Sequence, residues 1–191
     1  MSGGTTRDHI VGAADRLFYE NGYEHTSFSD IAAEVRISRG NFYYYFKTKD
    51  EILAAVIERR LAKTRAMLDR WQAEGASPAQ RLRSFIRILV ANRARIMQHG
   101  CPVGTLCGEL AKLDHDARAG ANAIMALFRD WLALQFAALG RNADADALAL
   151  HLLARSQGVA TLASTFRDEE FIDREVEAMC RWVDAQERRK D

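Results

Sequence analysis

Only two of the 191 residues are proline, Pro78 and Pro102, and that scarcity constrains the fold more than any other feature of the chain. Helix interiors exclude proline because its ring clashes with the preceding turn and it has no N–H to donate. A chain this poor in proline, with frequent Ala, Leu, Arg and Glu, reads as helix from end to end. Caps, terminal glycines and apolar residues at helical spacing divide it into about nine helices. The first runs from Thr6 to Asn21, the second follows the capping-box-like Ser27–Asp30 and ends near Val35, and the third runs from Arg39 to Phe46. The fourth starts around Thr48 to Asp50 and reaches Glu74, the fifth runs from Pro78 to His99, and Gly100 to Gly104 breaks the chain. The remaining four are expected over 105–113, 116–139, 144–166 and 168–188. The seventh is apolar almost all round, which predicts a central, buried helix.

Composition excludes several classes. A 48% hydrophobic chain with net charge +1 has ample material for a core and lacks the profile of a disordered one. The uncharged stretch Ser156 to Phe166 is too short for a bilayer, which needs about 20 apolar residues, and the N-terminal residues show no apolar signal segment. Three cysteines without framework spacing argue against a disulfide-stapled secreted module. A soluble cytoplasmic protein with no membrane association is expected.

The informative stretch is Thr26 to Lys49. Arg36, Arg39, Lys47 and Lys49 fall between residues 36 and 49 with no acid among them, an asymmetry that the overall balance hides. Two short helices joined by a tight turn, the second rich in Tyr, Asn and basic residues, match a helix-turn-helix over about 27–46. Ile31, Ala32 and Val35 pack the first helix, and Ile37 anchors the second from beneath. Phe42 and Phe46 are four apart and face inward, so Tyr43 and Tyr44 face outward, where a core role fails. Arg39 and Asn41 are placed for base-edge hydrogen bonds, and Gly40 lets the backbone approach a groove. Ser27, Tyr43, Tyr44 and Lys49 suit phosphate contacts, to which the Thr26 hydroxyl or the helix N-termini would add.

The order Gly22-Tyr23, Thr26-Ser27, Asp30-Ile31-Ala32, then Ser38-Arg39-Gly40-Asn41-Phe42-Tyr43-Tyr44-Tyr45-Phe46-Lys47-Thr48-Lys49 resembles the signature of TetR/AcrR-family transcriptional regulators. The resemblance covers about residues 6 to 60. It implies an all-α fold, with a three-helix DNA-binding head at 1–50 and a ligand-binding, dimerising body at 51–191. It also implies DNA contacts for Thr26, Ser27, Ser38, Arg39, Gly40, Asn41, Tyr43, Tyr44 and Lys49. Arg39 stands where that family commonly has Lys.

The body is less legible. Small residues in helix eight (Ala154, Gly158, Ala160, Ala163) and the Ile172, Val176, Met179, Val183 seam of helix nine fit a homodimer through a four-helix bundle. Pocket candidates from helices five to eight are Arg93, Met97, Leu106, Phe128, Trp131, Phe136, His151 and Gln157, with Phe128 and Trp131 able to stack on a flat ligand. Arg93 falls on the apolar face of its helix, where it needs an anionic ligand or a structural acid such as Asp130. Electrophile-responsive regulators of the resembled family carry a similar Gly-Cys-apolar-apolar-Gly segment, which makes Cys101 and Cys107 candidate reactive thiols. Of the two, Cys107 is expected in the first turn of a helix, where the dipole favours thiolate. His99, Cys101, Cys107 and His115 lack zinc spacing, so no metal is expected. No nucleophile elbow, phosphate loop or acid pair is present, so neither catalytic residues nor a cofactor is expected. The sequence therefore reads as a probe of double-stranded DNA operators that answers to an unknown small molecule. The fourth helix would carry the signal from body to head, and a repressor is the expected sign. The competing reading is a small-molecule binding protein whose head no longer reads DNA.

Overall fold

The computed structural model describes residues 5–188, which form ten helices and, among the described residues, no strand. They are α1 (Thr6–Asn21), α2 (Phe28–Val35), α3 (Arg39–Tyr45), α4 (Lys49–Glu74), α5 (Pro78–Ala91), α6 (Arg93–His99), α7 (Pro102–Lys112), α8 (Arg118–Ala138), α9 (Ala145–Phe166) and α10 (Glu169–Arg188). Most starts follow from local chemistry. Thr5 with Asp8 and Ser27 with Asp30 make reciprocal capping boxes at α1 and α2. Ser38 and Ser77 cap α3 and α5, and Pro78 takes the first helical position.

Two boundaries differ from expectation. The helix expected over 78–99 divides at Asn92, whose side-chain amide donates to the Ile88 carbonyl at 2.9 Å and competes with the ladder, so ten helices replace nine. The break expected from Gly100 to Gly104 is shorter: Gly100, at φ 75°, ends α6, and Pro102 already starts α7. Cys107 is thereby the sixth residue of α7, past its first turn, and Cys101 stands at the helix start, accepting the Gly104 N–H at 3.4 Å.

The chain packs as two compact units. One comprises residues up to 63 together with 105–124; the other comprises 64–104 and the residues from 125 onward. The core of the first joins Ile10, Ala14 and Phe18 of α1, Ile31 and Ala32 of α2, Phe42 of α3, and Ile52, Leu53 and Val56 of α4. Leu106 and Leu110 of α7 and Ala121 of α8 complete it, and Cys107 packs against it. In the second unit α10 lies on α5 and α9, and α6 on α9. Its interior holds Leu82, Phe85, Ile86, Leu132, Phe136, Leu152, Ile172, Met179 and Val183. Within α8, Leu134 escapes the expected burial and is 66% exposed.

Phe42 is among the largest fully buried side chains, and α3 has only seven residues to hold it. Phe42→Ala is expected to destabilise the unit by about 3–5 kcal/mol, the usual cost of emptying a core phenylalanine site. Urea titration followed by amide exchange in α1–α3 checks this; a loss under about 1 kcal/mol would contradict the packing described.

Candidate nucleic-acid interface

The helix-turn-helix closes on a tight backbone. Arg36 ends α2 in the left-handed region (φ 55°), with its N–H on the Ala33 carbonyl at 3.1 Å, and the Ile37 N–H returns to Ala32 at 3.2 Å. Ile37 then packs on the core, and Ser38 Oγ accepts the Asn41 N–H at 3.3 Å. Phe42 in α3 and Phe46, the extended residue that ends it, are buried, and Phe42 meets Phe28 edge-on, with ring centroids 5.2 Å apart. Tyr43 and Tyr44 point outward, at 47% and 77% exposure. Tyr43 stacks on Phe28 and Tyr44 meets Tyr45 edge-on, so both rings are held while their hydroxyl ends face water. Asn41 is exposed beside them. A Cβ added at Gly40 would meet nothing within 4 Å. The fold itself therefore does not require glycine there.

Ser27 is exposed, and its hydroxyl donates to Asp30 at 2.7 Å, a bond that holds the Asp30 carboxyl below its ordinary value. The Arg39 side chain lies outside the described residues. Two predicted contacts are corrected. Thr26 is 1% exposed, and its hydroxyl donates to the Gly22 carbonyl at 2.7 Å, so it clamps the turn before α2 instead of facing a phosphate. Lys49 turns back over the Tyr23 ring, 4.2 Å from its centroid, and donates to the Tyr23 and Glu24 carbonyls at 3.0 and 3.3 Å. Its charge is spent within the chain.

A polar cluster under this turn escaped the sequence reading. Tyr23, buried, donates its hydroxyl to Asp50, and His115 Nε2 lies 3.2 Å from that hydroxyl. The Ala117 N–H donates to His115 Nδ1 at 3.0 Å, which places the neutral ring's proton on Nε2. Burial, then the Asp50 bond, pushes the Tyr23 hydroxyl well above the ordinary tyrosine value. The same bond holds Asp50 below the usual carboxylate value against a smaller opposing effect of burial. Glu109 accepts the Tyr23 and Glu24 N–H groups at 2.9 Å each. No local pattern marks Glu109 or His115, because their partners stand up to 92 positions away.

The pocket candidates do not form one set. Leu106 and Cys107 lie in the head's compact unit, where Leu106 is core. Arg93 pairs with Asp173 at 3.1 Å, not with Asp130, and His151 is exposed on α9 against Trp182. Phe136 is fully buried against Trp182 as plain core. Phe128 and Trp131 lie together in the second unit, against Phe85 and Trp71 respectively. The Trp131 indole N–H is buried with no hydrogen-bond partner among the described residues. Met97, Cys101 and Gln157 are half-buried in the same unit, where a Cβ at Gly104 would collide with the Gln157 amide oxygen. Among the described residues no group of three metal-ligating side chains converges, and no helix is long and apolar enough to cross a membrane.

Comparison with known proteins gives this geometry a setting. The uncharacterized HTH-type transcriptional regulator in the lacX 3' region of Lactococcus lactis subsp. lactis is 35% identical over 115 residues, which are 59% of this chain and 59% of that relative. The chain thus covers less than two thirds of that relative's length. The HTH-type transcriptional repressor DhaR of Mycobacterium sp. strain GP1 is 23% identical over 87% of this chain and 86% of DhaR. The crystal structure of a TetR transcriptional regulator from Legionella pneumophila superposes with a TM-score of 0.83 over 97% of this chain and 98% of that one; at 24% identity this is a likeness of fold. Residues 10–56, which hold α2, α3 and the outward tyrosines, match the family model of the bacterial regulatory proteins of the tetR family, so this stretch of the chain is similar to that family's regulators.

Proposed function

We propose that this chain is a ligand-responsive, sequence-specific transcriptional regulator. It binds a palindromic operator as a homodimer and leaves it when a small molecule occupies the body. The observation that carries the reading is the outward face of α3, where Asn41, Tyr43 and Tyr44 are exposed and none belongs to the buried core beneath. Side chains held by stacking with their polar ends in water are organised for an external partner. Phosphate contacts orient a head, and base-edge contacts specify sequence. The domain division follows the same reading: the DNA-reading helices lie within residues 1–50, and ligand and dimer contacts are assigned to 51–191 outside the stretches up to 63 and 105–124 that pack with those helices. The sign of regulation is taken from DhaR, which is named a repressor. A regulator of this kind works beside the chromosome, in the cytoplasm.

The dimer reading is supported by α9, whose outer face carries Leu150, Leu162 and Phe166 at 46%, 44% and 71% exposure, with the small Ala154 and Gly158 between them. That surface suits a close helix–helix contact across a twofold axis. Selection from a random duplex library at moderate salt is expected to enrich one palindrome; no enrichment by ligand-free protein would sink the reading in favour of a binding protein with a silent head. Tyr43→Ala is expected to weaken binding to all sequences alike, and Asn41→Ala to flatten base preference by about 1–3 kcal/mol at one position. Gly40→Ala separates fold from function: it leaves the melting temperature unchanged or slightly raised, yet weakens operator binding because the methyl stands where DNA approaches.

For the effector, the buried, unpartnered Trp131 N–H, one helical turn along α8 from Phe128, supports a planar compound with a hydrogen-bond acceptor. Trp131→Phe keeps a ring and removes a buried donor whose unmet need costs about 1–3 kcal/mol. Ligand-free stability should hold or rise, while operator release by carbonyl-bearing aromatics weakens about tenfold; a variant released as readily as the parent would refute this assignment. Control through a reactive thiol is the second reading. Cys101, at the start of α7, is the better placed of the two cysteines, since Cys107 packs on the head's core. N-ethylmaleimide labelling of Cys101 that leaves operator affinity unchanged would remove it.

A further inference from the structure

Two consecutive amides of the turn between α1 and α2, those of Tyr23 and Glu24, donate to a single carboxylate 86 and 85 positions away, Glu109 on α7. From the other side, Lys49 Nζ meets the carbonyls of the same two residues, so both edges of that turn are held by opposite charges. The Tyr23 side chain is fixed through Asp50 at the start of α4 and through His115 in the turn after α7. Gly22, at φ 89°, gives the carboxylate room; a Cβ there would lie 3.0 Å from Glu109 Oε1. From this turn to α2 the chain has no slack, because the buried Thr26 hydroxyl bonds back to Gly22 and Ser27 already caps α2. The core that seats α3 likewise includes Leu106 and Leu110 of α7. The segment 105–124 thus belongs to the unit that holds the DNA-reading helices, although residues 102–104, the first of α7, belong to the other.

We infer that Glu109, seconded by His115, is a positioning residue for DNA binding: its carboxylate sets the turn from which α2 and α3 present Asn41, Tyr43 and Tyr44. It touches no DNA. The inference rests on the head's reading DNA, and its test separates the two.

Glu109→Gln in the full chain preserves shape but turns one acceptor oxygen into an NH2 group facing a donor. Two measurements are made together. Amide exchange should quicken at Tyr23, Glu24 and through α2–α3, and stay unchanged in α9 and α10. Operator binding is then titrated on the palindrome selected by the parent protein and on copies whose half-site spacing differs by one and two base pairs. The parent is expected to prefer one spacing; the variant should bind that spacing about tenfold more weakly and should discriminate the others by less than about threefold. A merely stabilising side chain would lower the melting temperature and leave the spacing preference of the folded protein intact. His115→Phe, which keeps the edge-on ring contact with Tyr23 (centroids 5.1 Å apart) and deletes both nitrogens, should shift the preference in the same direction. If both variants keep the parent's affinity and spacing preference, or both lose their helix content, the inference falls while the DNA reading stands. If the parent itself selects no palindrome, the DNA reading falls first and takes the inference with it.

Discussion

A helix of seven residues cannot hold itself together in water, because nucleation costs more than so few hydrogen bonds return. The helix that presents Asn41, Tyr43 and Tyr44 is that short, and it exists because Phe42 and Phe46 sink into a core built by its neighbours. Everything else in the first compact unit follows from that dependence. Burying two phenylalanines four positions apart turns the intervening tyrosines outward, so the side chains available to a partner are set by the side chains that hold the helix down. The reading surface and its support are opposite faces of one short element.

Around this apolar seat the polar groups do a different job. Exposed ion pairs such as Arg129–Asp146 add little, since water screens them. The turn between α1 and α2 is another matter: backbone amides and carbonyls that would otherwise lack partners are met by Glu109 and Lys49, and the Tyr23 hydroxyl by Asp50 and His115. Leaving such groups unmet costs more than any single surface pair returns. Lys49 therefore turns inward, although its position in the motif and its charge both suggest an outward role. A cation beside a DNA-reading helix is not automatically a phosphate contact.

The second unit shows the opposite economy. Its interior is largely apolar, with the buried Trp131 N–H left without a partner among the described residues, and its α9 carries large apolar groups outward. An unmet buried donor and exposed apolar groups each cost the single chain stability.

Local chemistry determined much of this by itself. Capping boxes, terminal glycines and a four-residue phenylalanine spacing act within one or two turns, so α1, α2, α3, the all-helical class and the outward tyrosines were legible in the order of residues. Thr26 and Lys49 were misread because their partners are carbonyls, which no side-chain pattern displays. Asn92 was missed because the choice between a continuous and a broken helix rests on a single side-chain bond to Ile88. Arg93 found Asp173 on α10, and Leu106 and Cys107 joined the head's core rather than a pocket, because chain folding alone determines which distant helix lies alongside. Periodicity determines which face of a helix turns inward; only the tertiary structure decides what that face meets, since contacts across 80 or 90 positions leave no local trace in the chain.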